Sequence, residues 1–380
     1  MIHHHNHVLA MICAMFATPI SAMMSARGAP ASALTAAPTA QLARTPFLFC
    51  SAVDAQLATE EDDDWHAFAE ANGIVAPKLS IKKVSEDARG KGGVFAKEAI
   101  APMEVVATIP RSLVLTASEQ AMAVADRSED SSWASALTAA ALIALHEPSP
   151  SASGAAKKEW ISEWVHGGWA TLNSDLGAPG VQWGADYVTG NLMATGSDND
   201  KNIYAKFRFP CHPVVHRAGL GLAQLTGSDK KAALEALQRR GRAFRGMRDA
   251  LIPLVETPTL RAKGSQREKR SWDVADALSR VLSRATALQL ADDQAPTVSV
   301  VPLHERLAHC GAERGENVKV VGCDPRSDGD EEAVLLVATR AIECGEALTR
   351  DYNLAPRLPD DDTEGALRLL LQFGLPPAAW

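Results

Sequence analysis

Three features of the chain have side chains or backbone suited to chemistry: the glycine-rich segment Arg89-Gly90-Lys91-Gly92-Gly93, Arg284 closing a long helical pattern, and Tyr352, a lone tyrosine at a strand end. Glycines let a backbone approach a ligand closely and adopt positive φ. The segment is not a phosphate-binding loop, because no Ser or Thr follows Lys91 where one is required. It is not a dinucleotide fingerprint either, since a strand and not a helix follows it. A guanidinium such as that of Arg284 is permanently charged and forks onto a carboxylate. His304, His309 and Cys310 form one His/Cys group, and Cys211, His212 and His216 another. Neither offers four ligands at structural-zinc spacing, so no metal is assigned and packed or hydrogen-bonding roles are expected.

These residues need elements to position them. Trp65, Phe68, Ala69 and Asn72 fall at helical spacing after the acidic run Glu60 to Asp64, which favours a helix start, and Gly73 ends that helix. Short β-type runs follow at Leu79 to Val84, Gly93 to Ala96, Glu104 to Ile109 and Leu113 to Leu115. The middle reads as helical: Trp133 to His146, Lys157 to Val165, Ser228 to Val255 and Ser271 to Leu290, with a Ser/Pro-rich loop at Pro148 to Gly154. Strands return at Thr297 to Val301, Val318 to Val321 and Val334 to Thr339, and Thr363 to Phe373 closes with a helix. β-rich, then helical, then β-rich predicts one β fold carrying a helical insertion.

Composition narrows the function classes. An apolar fraction of 46% and a charged fraction of 22% are those of a globular protein, and a formal charge of −8 argues against a general nucleic-acid binder. The basic clusters Arg239-Arg240-Gly241-Arg242 and Arg267 to Arg270 read as solvated helix or loop surface. Six cysteines without a Cys-x-x-Cys pair point to free thiols in a reducing compartment. No Asp or Glu precedes Asp54. Val8 to Ile20 is an apolar run of signal length, too short to span a membrane comfortably, and Arg27 to Phe49 is rich in Ala, Ser, Thr and Pro with two Arg and no acid. This arrangement resembles the two-part leaders of algae with secondary plastids; plain secretion and mitochondrial import are the competing readings. The His residues at positions 3, 4, 5 and 7 are read as incidental.

Five blocks in order carry a family resemblance. Gly93 entering Phe95 to Ile100 (FAKEAI), then Glu104 and Ile109-Pro110, resembles the opening of SET domains. Trp65 with Asn72-Gly73 ahead of it resembles the branch that includes the Rubisco large-subunit lysine methyltransferases. Ser283-Arg284-Ala285, after Trp272, resembles the family's Ser-Arg-Ala step. Val300-Val301-Pro302 through Glu305, Leu307, Ala308, His309 and Cys310 resembles its Val-Pro…Asp…Asn-His block, with Glu305 for the Asp and Ala308 for the Asn. Ala338 to Ile342, Gly345-Glu346 and Tyr352-Asn353 resemble the strand and turn bearing the catalytic tyrosine, with Asn353 for the usual Gly. Leu369-Leu370 and Gln372-Phe373-Gly374-Leu375 match the closing Leu-Leu…Tyr-Gly-Phe. Between the halves, Trp160, Trp164, Trp183 and Leu192 to Gly196 resemble the family's helical insert. The resemblance spans about residues 64 to 380, and the family's C-terminal substrate-docking domain has no counterpart in it.

The resemblance implies an α+β fold: SET-type short curved sheets with a pseudoknot-like C-terminus, split by a large helical insert. The expected organisation is a cleavable leader over 1–55, the first part of the SET fold over 56–118, the insert over 119–270 and the second part over 271–380. It implies transfer of a methyl group from S-adenosylmethionine to a lysine of a protein substrate, by a monomer with no nucleic-acid partner and no stable membrane insertion once mature. Arg89, Gly90, Lys91, Gly92, Arg284, Glu305, Ala308 and His309 would hold the donor, and Tyr352 would contact it and orient the amine. Alanine at 308 cannot make the hydrogen bond the family Asn makes, and a buried group left unpaired costs about 1–3 kcal/mol. Ala308, Glu305 and Asn353 keep open a second reading, a catalytically silent SET-like module that binds a protein partner.

Overall fold

Asp62, at the end of the acidic run, starts the first helix. In the computed structural model its Oδ1 accepts from the backbone N–H of Trp65 at 3.2 Å, the hydrogen bond of an N-cap. The structure describes residues 59–84, 93–126, 132–146, 151–165, 178, 224–255, 265–289, 295–311, 315–323, 332–359 and 361–375. The acidic residues before Asp62 are not helical as the charge run suggests. Thr59–Glu61 forms strand β1, antiparallel to β2, Leu79–Val84, with Glu60 and Glu61 in register with Lys83 and Lys82. Helix α1, Asp63–Ala71, then buries Trp65, Phe68 and Ala69, and Gly73 reverses the chain at φ +71°, a backbone that glycine adopts without a Cβ clash. Strand β3, Gly93–Ala96, completes this sheet beside β2.

A second sheet joins an early strand to two late ones. Strand β4, Val105–Pro110, lies antiparallel to β10, Ala333–Ala338, which also pairs with β9, Val318–Cys323. All but the first residue of β10 are buried, because strands flank it on both sides and the core covers it. The third sheet has the order β5 (Leu115–Thr116), β7 (Thr297–Val300), β6 (Thr286–Leu288). Two expectations are corrected here. Leu113 closes a 3-10 turn over Arg111–Leu113, with Val114 N–H donating to Arg111 O at 3.0 Å, so only Leu115 and Thr116 pair as strand. The helix expected from Ser271 to Leu290 instead runs Ser265–Arg284, and the boundary drawn at residue 270 falls inside it. Thr286 to Leu288 leave the helix because they pair with Ser299 to Thr297. A parallel pair, β8 (Ala308–His309) with β11 (Thr349–Arg350), brings the late chain back beside the earlier segment and forms the expected C-terminal crossing.

The helical block packs into these sheets rather than beside them. It comprises α2 (Glu119–Ala125), α3 (Trp133–His146), α4 (Ala152–Val165), α5 (Gly227–Leu251) and α6 (Ser265–Arg284). Helix α3 is buried almost all round, which its small alanines permit. One continuous apolar cluster joins Leu79, Val106 and Leu336 of the strands to Leu142, Trp160 and Val281 of the helices. The expected 119–270 insert therefore shares a core with both halves of the β fold. Helix α7, Gly365–Phe373, ends at Gly374 with φ +68°. Its buried Arg368 donates to the carbonyls of Asn353 and Ala355, and Gln372 Nε2 donates to Leu282 O at 3.1 Å, tying α7 to α6 and to the turn after β11. No helix among the described residues is long and apolar enough to cross a membrane. The 1–55 leader, Trp183, the Leu192 to Gly196 run and the Cys211, His212, His216 group lie outside the described residues.

Candidate functional site

Tyr352 opens a 3-10 turn, Tyr352–Leu354, directly after β11. Asp351 caps that turn by accepting from Asn353 N–H at 2.9 Å. Asn353 is not in a left-handed conformation, as its place in the family's Gly position suggests. Among the described residues only Met103 and Leu303 combine a side chain with positive φ, and Asn353 is held in the turn by its Nδ2, 3.1 Å from Asp351 Oδ1. The Tyr352 ring is 1% exposed and stacks on Phe373 with centroids 4.4 Å apart. Its hydroxyl donates to Leu307 O at 2.8 Å, and its backbone N–H donates to His309 Nδ1 at 3.3 Å.

Arg284 is the last residue of α6 and is 2% exposed. Its Nη1 donates to Ser283 Oγ at 3.1 Å, and the guanidinium lies 5.5 Å from the Trp164 ring centroid. Burial, with help from the charge of Arg280, pulls its pKa down to about 9, while Glu305 and Tyr352 act in the opposite direction. Glu305 is equally buried, and its Oε1 accepts from Trp160 Nε1 at 2.9 Å. Its Oε2 and the Nε1 of Trp164 have no hydrogen-bond partner among the described residues. Buried polar atoms are almost always paired, so an unspent acceptor and donor in one buried neighbourhood mark a place where a polar ligand fits.

The backbone is bent to present Glu305. Leu303 has φ 69° and ψ −46°, and His304 N–H donates two residues back to Pro302 O at 2.8 Å, which makes a γ-turn around Leu303. Such a conformation in a residue with a side chain costs about 1–3 kcal/mol and persists only where the surroundings impose it. It turns His304, Glu305 and Arg306 inward, all of them buried. Arg306 reaches Glu163 of α4 and Asp62 at the start of α1, and it lies 4.4 Å over the Trp65 ring. The turn is thus clamped from two sides. His304 is held well below the usual histidine range by burial and by the charge of Arg350.

Ala308 and His309 form β8, with Ala308 in register with Thr349. The methyl group of Ala308 offers no hydrogen bond, as its sequence position implies. Burial lowers the pKa of His309, opposed by Asp351, and pushes the Cys310 thiol up to about 11. His309, Cys310 and Asp351 present possible ligand atoms within 4.8 Å of one another. The Nδ1 of His309 already accepts from Tyr352 N–H, and Asp351 Oδ1 accepts from Asn353, so these lone pairs are committed within the protein.

Arg284, Glu305, Ala308, His309 and Tyr352 are therefore gathered around the β8–β11 pair and the end of α6. Arg89, Gly90, Lys91 and Gly92 lie outside the described residues, but β3, which follows them, meets the late chain: Ala96 N–H donates to Glu346 O at 2.9 Å. Three contributors were not legible as site residues. Trp160 and Trp164 stood out only as part of a tryptophan step. Arg350, a cation in a run that reads as strand, gave no signal.

No protein-family model matches this chain, and no curated protein matches it. Among solved structures, the SET domain of LSMT bound to lysine and AdoHcy is similar at 12% identity, over 82% of this chain and 56% of that chain, with a TM-score of 0.40. Rubisco LSMT bound to AdoMet is similar at 14% identity, over 82% and 55% of the two chains, with a TM-score of 0.38. The chain thus spans about half the length of these neighbours.

Proposed function

We propose that the chain is a SET-type protein-lysine N-methyltransferase of the Rubisco large-subunit lysine methyltransferase-like branch, using S-adenosylmethionine. The observation that carries the reading is the convergence, from three sequence blocks, of buried Arg284, Glu305 and Tyr352 and half-buried His309 onto one cluster with polar capacity to spare at Glu305 and Trp164. A zwitterionic amino-acid end suits that cluster. Arg284 would take its carboxylate, and Glu305 Oε2, unpaired among the described residues, would take its ammonium. The residues present fit the donor in charge and in hydrogen-bonding sense, Ala308 excepted.

The donor supplies an electrophilic methyl group on a sulfonium; the protein's work is positioning. Tyr352 donates its hydroxyl proton to Leu307 O, which fixes the phenol oxygen that would orient the incoming amine. A buried surround favours the neutral lysine amine over its ammonium form, and only the neutral amine has an electron pair to give. Arg284 and Glu305 would hold the donor's amino-acid end while Tyr352 orients the amine, so that the nitrogen's electron pair faces the methyl carbon.

Calorimetry of the full chain with S-adenosylmethionine tests the reading. Saturable heat at micromolar donor is expected; neither heat nor thermal stabilisation at millimolar donor sinks it. The silent partner-binding module draws support from the near-complete burial of Tyr352 and from Ala308. Donor binding without transfer to any protein of a plastid extract would select that reading. Delivery to the plastid by residues 1–55 belongs to the proposal, and a fusion of that segment to a fluorescent protein, scored for plastid, mitochondrial or secreted signal, checks it.

A further inference from the structure

Arg350 holds the site together and belongs to none of the motif blocks as a functional residue. Its side chain is buried and lies across the end of α6: Nη2 donates to Ser283 O at 3.0 Å, and Nη1 to Arg284 O and Ala285 O, each at 3.4 Å. These are carbonyls at a helix end, which lack partners within the helix and carry the negative end of its dipole. Its guanidinium carbon lies 4.8 Å from the Tyr352 ring centroid. Its own carbonyl accepts from Cys310 N–H at 3.0 Å, and its backbone is in register with His309. One residue thus touches the segments that carry Arg284, His309 and Tyr352.

We propose that Arg350 is a positioning residue: by capping α6 it fixes Arg284 relative to Tyr352, and so sets the affinity for the amino-acid end of the methyl donor. This rests on the methyltransferase reading and deepens it. A lysine here keeps the charge but offers one compact donor group in place of a planar fork, so it spans fewer of the three carbonyls. A methionine fills much of the volume and caps nothing.

The experiment compares full-length wild type, Arg350→Lys and Arg350→Met by calorimetry with two ligands. One is S-adenosylhomocysteine. The other is methylthioadenosine, which lacks the amino-acid end. Arg350→Met is expected to lose at least tenfold affinity for S-adenosylhomocysteine and less than threefold for methylthioadenosine, with Arg350→Lys in between. A purely structural role would weaken both ligands alike. Equal losses on the two ligands, or no loss on either, overturn the proposal. If Arg350→Met does not fold, Arg350→Lys carries the same comparison, with a ratio of losses above about threefold expected and a ratio of one overturning it. Wild type that binds neither ligand refutes the methyltransferase reading, and this inference with it.

Discussion

Replacing Trp160 by Phe should expose how much the site depends on the helical block. Trp160 is fully buried, and its indole N–H is the hydrogen-bond donor to Glu305 Oε1, across 145 residues of sequence. A hydrogen bond to a charged group is worth about 1.5–3 kcal/mol, and the smaller ring leaves a cavity besides. Arg306 Nε at 3.5 Å stays as the remaining neighbour of that carboxylate oxygen. Trp160→Phe should therefore cost about 3–5 kcal/mol. Glu305→Gln turns the acceptor into a neutral amide, for which the same hydrogen bond is worth about 0.5–1.5 kcal/mol. The cavity cost is common to both backgrounds, so a double-mutant cycle isolates a coupling of about 1–2 kcal/mol. Urea denaturation of the four proteins measures it, provided the slopes agree. Coupling within 0.5 kcal/mol of zero would refute the claim that Trp160 holds Glu305 by this hydrogen bond.

Three further outcomes are expected. Tyr352→Phe removes the hydroxyl that donates to Leu307 O; it should abolish methyl transfer to a substrate lysine and cost about 1 kcal/mol of stability, while donor affinity by calorimetry changes less than about threefold. His304 and His309 are both shifted down by burial, so below pH 6.5 the unfolded chain binds protons that the folded chain refuses. Stability should accordingly fall as pH drops from 7 toward 5, by up to about 1.4 kcal/mol per pH unit for each histidine, and should not respond to these groups above pH 7. His304→Gln should flatten that slope by up to one proton in denaturation series between pH 5 and 7.5, and an unchanged slope would contradict the assignment. Gly73→Ala forces a side chain into φ +71°, where Pro110 Cγ at 3.5 Å makes only an ordinary contact; the backbone alone should cost about 1–2 kcal/mol, and Gly73→Asn less, by thermal melts.

Much of the scaffold was readable because periodicity reports local structure. The strand Gly93–Ala96 and the helix Trp133–His146 lie where the pattern puts them. Errors fell where tertiary partners overrule local preference. Thr286–Leu288 reads as the tail of a helix until β7 is present to pair with it, and Thr59–Glu61 reads as helix start until β2 lies alongside. Two-residue strands such as β8 and β11 have no periodicity to detect, yet they bring His309 and Tyr352 together. Arg284 and Tyr352 stood out through the motifs around them. Arg350 was silent, since one arginine between Thr349 and Asp351 looks like any exposed cation until three helix-end carbonyls are seen around it. The γ-turn at Leu303 was equally invisible, because no composition rule marks a residue that its neighbours force into positive φ.

The clamp made by Arg306 bears on how the chain is made as well as on how it rests. Glu163 precedes its arginine by 143 residues, and Trp160 precedes Glu305 by 145. A polypeptide emerging from the ribosome carries Asp62, Trp65, Trp160 and Glu163 long before it carries their partners. Until residue 306 appears, closing the first half would bury Asp62 and half-bury Glu163 without the arginine that pairs with both, which is unfavourable. The early chain is thereby held open, with apolar surface exposed, during synthesis. The clamp can close only once residue 306 has been made, so this part of the core should form late in synthesis.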